Sequence, residues 1–215
     1  AVDQDFEYHP PGTVCGLQGF IPWQNGPDVC GEVSTEQAES GVRSLKIVGA
    51  VGGSTGNGDD TVLPVAGVES GAWTVRCMVY VPDDAAGEGA LVLLNTYDDA
   101  LPPQNSWYSA QVRFNASTNT VTADVGAGTT TLVKGQWIEF RVAIDLASDT
   151  ASYWYNGVEF VHERAWTDGV VPGAPGPARL RQRRARRGDR RSFGKAASWL
   201  VLPAEVVVGA ELGAE

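Results

Sequence analysis

Three segments of this chain alternate apolar and polar residues with a period of two, and that alternation constrains the fold more than any other feature. In Trp73–Val81, the residues Trp73, Val75, Cys77, Val79 and Val81 fall on one face, and Thr74, Arg76, Met78 and Tyr80 fall on the other. Trp107–Phe114 sets Tyr108, Ala110, Val112 and Phe114 against Trp107, Ser109, Gln111 and Arg113. Trp137–Leu146 sets Ile138, Phe140, Val142, Ile144 and Leu146 against Glu139, Arg141 and Asp145. Successive side chains of a strand point to opposite faces, so each segment predicts a strand with one core face and one wetter face.

Shorter strands are predicted at Ser44–Val48, Gly89–Asn95, Thr120–Asp124, Ser152–Tyr155 and Val158–His162, with Gly, Asn, Asp and Pro clusters between them. Asn156-Gly157 supplies the two positive φ angles of a tight hairpin turn. Before residue 175 no segment carries a helical stripe over three turns. A sheet must bury its apolar side against something, so many short strands without helices predict an all-β fold: a two-sheet antiparallel β-sandwich, of jelly-roll type.

Charge divides the chain of 215 residues in two. Residues 1–175 hold seven basic and 22 acidic side chains, −15, and are expected to form one sandwich domain. Residues 176–215 hold nine basic and four acidic ones, +5, with eight arginines between Arg179 and Arg191. This atypical segment reads either as a frameshifted, irregular C-terminus, such as GC-rich coding DNA yields out of frame, or as a basic arm for polyanions. The acidic body repels nucleic acid, so only non-specific contact through the Arg-rich segment is expected. The most apolar stretch, Ser198–Gly209, is broken by Pro203 and Glu205, so no membrane span is expected. The start at Ala1, followed by polar residues, is what a secreted protein shows after signal-peptide removal. In an oxidising compartment Cys15 and Cys30 can close a small loop, while Cys77 reads as a buried thiol.

Several ordered signatures carry a family resemblance. They are Asp5-Phe6-Glu7, the run Glu39–Ile47, Ser70-Gly71-Ala72-Trp73-Thr74, Tyr80-Val81-Pro82, Leu94-Asn95-Thr96-Tyr97, Gly135-Gln136-Trp137-Ile138-Glu139, Ile144-Asp145-Leu146 and Tyr155-Asn156-Gly157. Together they resemble concanavalin A-like (laminin-G-type) jelly-roll domains of secreted bacterial proteins. The resemblance implies an extracellular sandwich, commonly a carbohydrate-recognition module, and a structural calcium bound in part by an N-terminal acidic segment, here Asp3 and Asp5. No other cofactor is implied. Such domains close with a final strand that is not legible in this chain.

The wetter strand faces offer a carbohydrate site. Tyr80, Tyr97 and Trp107 can stack on sugar rings, and Arg76, Gln111, Arg113, Glu139 and Arg141 can bond hydroxyls or carboxylates. If the strands are neighbours, these residues form one groove, and its three arginines favour an acidic polysaccharide. The alternative is that each arginine pairs with an acid across the ladder. Glycosidases need two carboxylates at a set separation, whereas Glu139 and Asp145 lie about 20 Å apart along an extended strand. Glu139, Arg141 and Tyr80 are the candidates for catalysis if the chain is an enzyme. His9 and His162 read as structural. The expectation is therefore binding of a polysaccharide or other glycan without catalysis, with a polysaccharide-degrading enzyme and a structural or adhesive surface domain as alternatives.

Overall fold

The computed structural model describes residues 2–23, 30–48, 59–65, 68, 70–97, 107–123, 126–167, 196–201 and 206–214. Among them there is no α-helix, and every strand pairing is antiparallel. The strands are β1 (Val2–Gln4), β2 (Gly12–Thr13), β3 (Ile21–Pro22), β4 (Glu32–Ser34), β5 (Ser44–Ile47), β6 (Asp60–Val65), β7 (Ala72–Tyr80) and β8 (Glu88–Thr96). They continue with β9 (Trp107–Asn115), β10 (Thr120–Ala123), β11 (Gly128–Thr131), β12 (Trp137–Asp145), β13 (Thr150–Tyr155), β14 (Val158–Ala165), β15 (Ala196–Val201) and β16 (Val206–Ala214).

Two sheets stack face to face. The first runs β14-β13-β12-β7-β16-β5-β4-β2, with β1 added to β16, and the second runs β11-β10-β9-β8-β15-β6-β3. The long predicted strands form as the alternation requires. In β12 every second residue, from Ile138 to Ile144, is buried, and the residues between them are half-exposed. The apolar faces of both sheets meet in one core, where Phe114 of the second sheet packs edge-on against Phe140 and Tyr155 of the first. Each such pair contributes about 0.5–1.5 kcal/mol beyond the area it buries. The hairpin after β13 turns at Asn156 and Gly157, with φ of 51° and 72°. Both angles are positive, as the Asn-Gly pair predicts.

Side-chain bonds tie the sheet ends together. Cys15 and Cys30 are joined by a disulfide, and beside it the amide of Gly31 donates to Thr61 Oγ1 at 2.7 Å. That bond links the strand ladder of the first sheet to β6 of the second. Glu7 Oε1 accepts the amides of Val42 and Arg43, both at 2.8 Å, and the Arg43 guanidinium returns a bond to the Glu7 carbonyl. Trp166 is buried where β14 ends, and its amide donates to the carbonyl of Asp149.

The sheets also take strands from beyond residue 175, in the segment that the sequence sets apart as basic and atypical. β15 pairs with β8 on one side and β6 on the other, and β16 pairs with β7 and β5. The arginines from Arg179 to Arg191 lie outside the described residues.

Candidate functional site

The eight residues expected to share one groove fall on two sheets. Arg76 and Tyr80 are on β7, and Glu139 and Arg141 are on β12, which pairs with β7 in the first sheet. Gln111, Arg113 and Trp107 are on β9, and Tyr97 follows β8, in the second sheet. Strands β7 and β12 read from sequence much like β9, but pairing is decided by contacts distant along the chain. The core lies between the two groups, so no single groove holds all three arginines. The side chain of Trp107 lies outside the described residues, and its backbone pairs with Thr96.

On the first sheet the outward side chains partner one another. Arg76 Nε lies 3.2 Å from a Glu139 carboxylate oxygen, and the Arg141 guanidinium sits 4.2 Å above the ring of Trp154. Tyr80 and Trp137 face each other in register, with ring centroids 5.6 Å apart. Arg76, Glu139 and Arg141, expected to read a ligand or to take part in catalysis, are here held in ion-pair and cation–π contacts, and Tyr80 in an aromatic pair. Beneath them Cys77 is a fully buried free thiol, pushed up by desolvation and by the charge of Glu139, which keeps it from acting as a thiolate.

The second sheet presents a different outer face. Val62, Ala90, Val92 and Leu94 form a buried apolar cluster separate from the main core, and Ile21, Trp23, Tyr97 and Tyr108 pack against it. Trp23 holds the three aromatic rings together, 5.6 Å from Tyr97 and 6.4 Å from Tyr108. Simple alternation assigns Tyr108 to the core. The β8–β9 ladder skips a residue there, pairing Leu93 with Ala110 and Leu94 with Tyr108, and the bulge turns Tyr108 outward. Ser109, at the skipped position, is fully buried and accepts a bond from the Asn95 amide at 2.8 Å.

Polar groups rim this aromatic floor. Gln111 pairs with Val92, and Arg113 pairs with Ala90, so both share the outer face. Arg113 lies 3.3 Å from Glu88, whose other oxygen accepts the Asn115 amide at 3.0 Å. The same row continues from Ala90 through Val201 to Asp60. Three interstrand steps place Arg113 and Asp60 about 14 Å apart at their Cα atoms. Among the described residues Asp60 Oδ1 is buried without a hydrogen-bond partner, and desolvation pushes its carboxyl up to about 7. Burial raises the Tyr108 phenol as well, and the Asp60 charge adds to that rise. Trp23, Asp60, Glu88 and Tyr108 were not legible as site residues: Asp60 reads as a turn former beside Asp59, and only the bulge brings Tyr108 outward.

Asp5 Oδ1 accepts the amide of Glu7 at 3.1 Å, closing a local turn, and Asp3 lies on β1 opposite Glu211. Among the described residues no group of three or more His, Cys, Asp or Glu side chains is placed to hold a metal ion. His9 is buried beside Phe6, and the exposed His162 bonds Glu159 at 2.8 Å. No described helix is long and apolar enough to cross a membrane.

No protein-family model matches the chain, and no curated protein sequence matches it. Solved structures do. A sialidase superimposes with a TM-score of 0.57 at 10% identity, over 99% of this chain and 18% of its own, so the chain spans less than a fifth of that protein. An uncharacterized protein from Mycobacterium paratuberculosis gives 0.51 at 13% identity and covers 99% of both chains. The carbohydrate recognition domain of Emp46p, in its potassium-bound form, gives 0.51 at 8% identity, over 91% of this chain and 88% of its own. At these identities the likeness is one of fold, that of a two-sheet antiparallel β-sandwich.

Proposed function

We propose that this chain binds carbohydrate, without catalysis, on the outer face of its second sheet. The observation that carries the reading is the aromatic group Trp23, Tyr97 and Tyr108 over an apolar floor, with Gln111, Arg113 and Asp60 at its rim. Aromatic faces stack on the C–H faces of sugar rings, and a few convergent polar groups fix orientation. The Emp46p domain, whose name describes carbohydrate recognition, supports the reading through a shared architecture alone.

A carboxyl that keeps its proton near neutrality is also what a general acid needs, and Asp60 favours a second reading as a glycan-degrading enzyme. One experiment separates the two. The protein is incubated with a panel of neutral and acidic polysaccharides, and retention and newly released chain ends are recorded in the same tubes. Retention without new ends is the expected result. New ends would replace the proposal with the enzymatic reading, and neither signal would leave a structural or adhesive domain.

A further inference from the structure

The charge on the second sheet's outer face bears on which glycans it accepts. Among the residues of its seven strands Arg113 is the single cation, and Glu88 already neutralises it while taking the Asn115 amide. Across the floor Asp60 has a buried oxygen with no partner among the described residues, and no cation in its row nearer than Arg113. A buried polar atom left without a bond is destabilising, and a ligand hydroxyl placed there would remove that cost. An anionic ligand would meet the charge of Glu88 and find Arg113 already paired with it, on a chain whose net charge is −10.

We propose that the ligand of this face is a neutral polysaccharide, one hydroxyl of which hydrogen-bonds the free oxygen of Asp60. The inference rests on the carbohydrate-binding reading above and makes Asp60 its specificity-determining residue. It departs from the sequence expectation of an acidic polysaccharide, which needed three arginines on one face.

Native gel electrophoresis through laminarin, arabinoxylan and galactomannan, beside polygalacturonate and alginate, tests it. The proteins compared are the wild type, Asp60→Asn, Asp60→Leu and Tyr108→Ala, each first shown to be folded by circular dichroism. Retardation by at least one neutral polymer and by neither acidic one is expected. Asp60→Asn keeps a hydrogen-bonding group and should stay within about threefold of the wild type, whereas Asp60→Leu should lose tenfold or more. Retardation by the acidic polymers alone would overturn the inference. So would an Asp60→Leu protein that binds like the wild type while Tyr108→Ala does not, an outcome that leaves the face itself standing. A wild type retarded by no polymer would instead remove the carbohydrate reading and this inference with it.

Discussion

The carbonyl oxygen of Phe160 occupies the place that a Cβ on Gly128 would need. Gly128 opens β11, the edge of the second sheet, and Phe160 lies in β14, the edge of the first, so this approach joins the two sheets along one side. A side chain at position 128 must push backbone aside, because a carbonyl within a ladder cannot rotate away as a flexible side chain can.

Gly128→Ala is therefore expected to destabilise the fold by about 1–3 kcal/mol, the range for overpacking a close-packed contact. Thr129→Ala, one residue along and exposed, serves as the control. Urea unfolding of both variants checks the expectation. Equal midpoints would mean that the two edges are not in contact in solution.

The disulfide gives a second expectation. It closes a loop of sequence separation 15, for which loop-closure entropy contributes about 3 kcal/mol. The double variant Cys15→Ser/Cys30→Ser should unfold at correspondingly lower denaturant under non-reducing conditions, and added reductant should no longer lower its midpoint. Cys77, buried in the core, should resist thiol reagents until the protein unfolds.

How far the sequence foretold this arrangement differs from element to element. The long strands were legible because a sheet with one buried face writes its period into the chain, as β12 does residue by residue. Which strands share a sheet was not, since Arg113 and Arg141 occupy similar patterns yet lie on opposite sides of the core. Tyr108 escaped because one skipped residue in a ladder reverses a face, and a bulge leaves no compositional mark. The strands β15 and β16 were hidden by their surroundings: the basic run before them dominates the composition, and Pro203 and Glu205 break the apolar pattern between them.

The separation of the two faces makes a third prediction. Arg76→Ala and Glu139→Gln break an exposed ion pair on the first sheet, which is worth at most about 1 kcal/mol. Both should leave polysaccharide retention unchanged. Gln111→Ala and Tyr108→Ala, on the second sheet, should each weaken it, the tyrosine by tenfold or more through lost stacking area. The reverse pattern, with loss confined to the first pair, would move the binding site to the opposite side of the molecule.

Asp60 supplies the last prediction, in stability rather than binding. Desolvation raises its carboxyl from the ordinary 3.8 to about 7, so the folded state holds the proton more tightly than the unfolded chain does. The stability that this proton brings is present in full below about pH 4 and is lost as pH rises through about 7, where the folded protein must bury a charge. Asp60→Asn carries no such charge. It should leave stability near pH 4 little changed and raise it above pH 7 by an amount on the order of 4–5 kcal/mol at most, since each pKa unit is worth about 1.4 kcal/mol. Urea unfolding of both proteins from pH 4 to pH 9 measures the difference directly. Curves that run parallel across that range would show that the Asp60 carboxyl is solvated in solution and would weaken its claim to meet a ligand on this face.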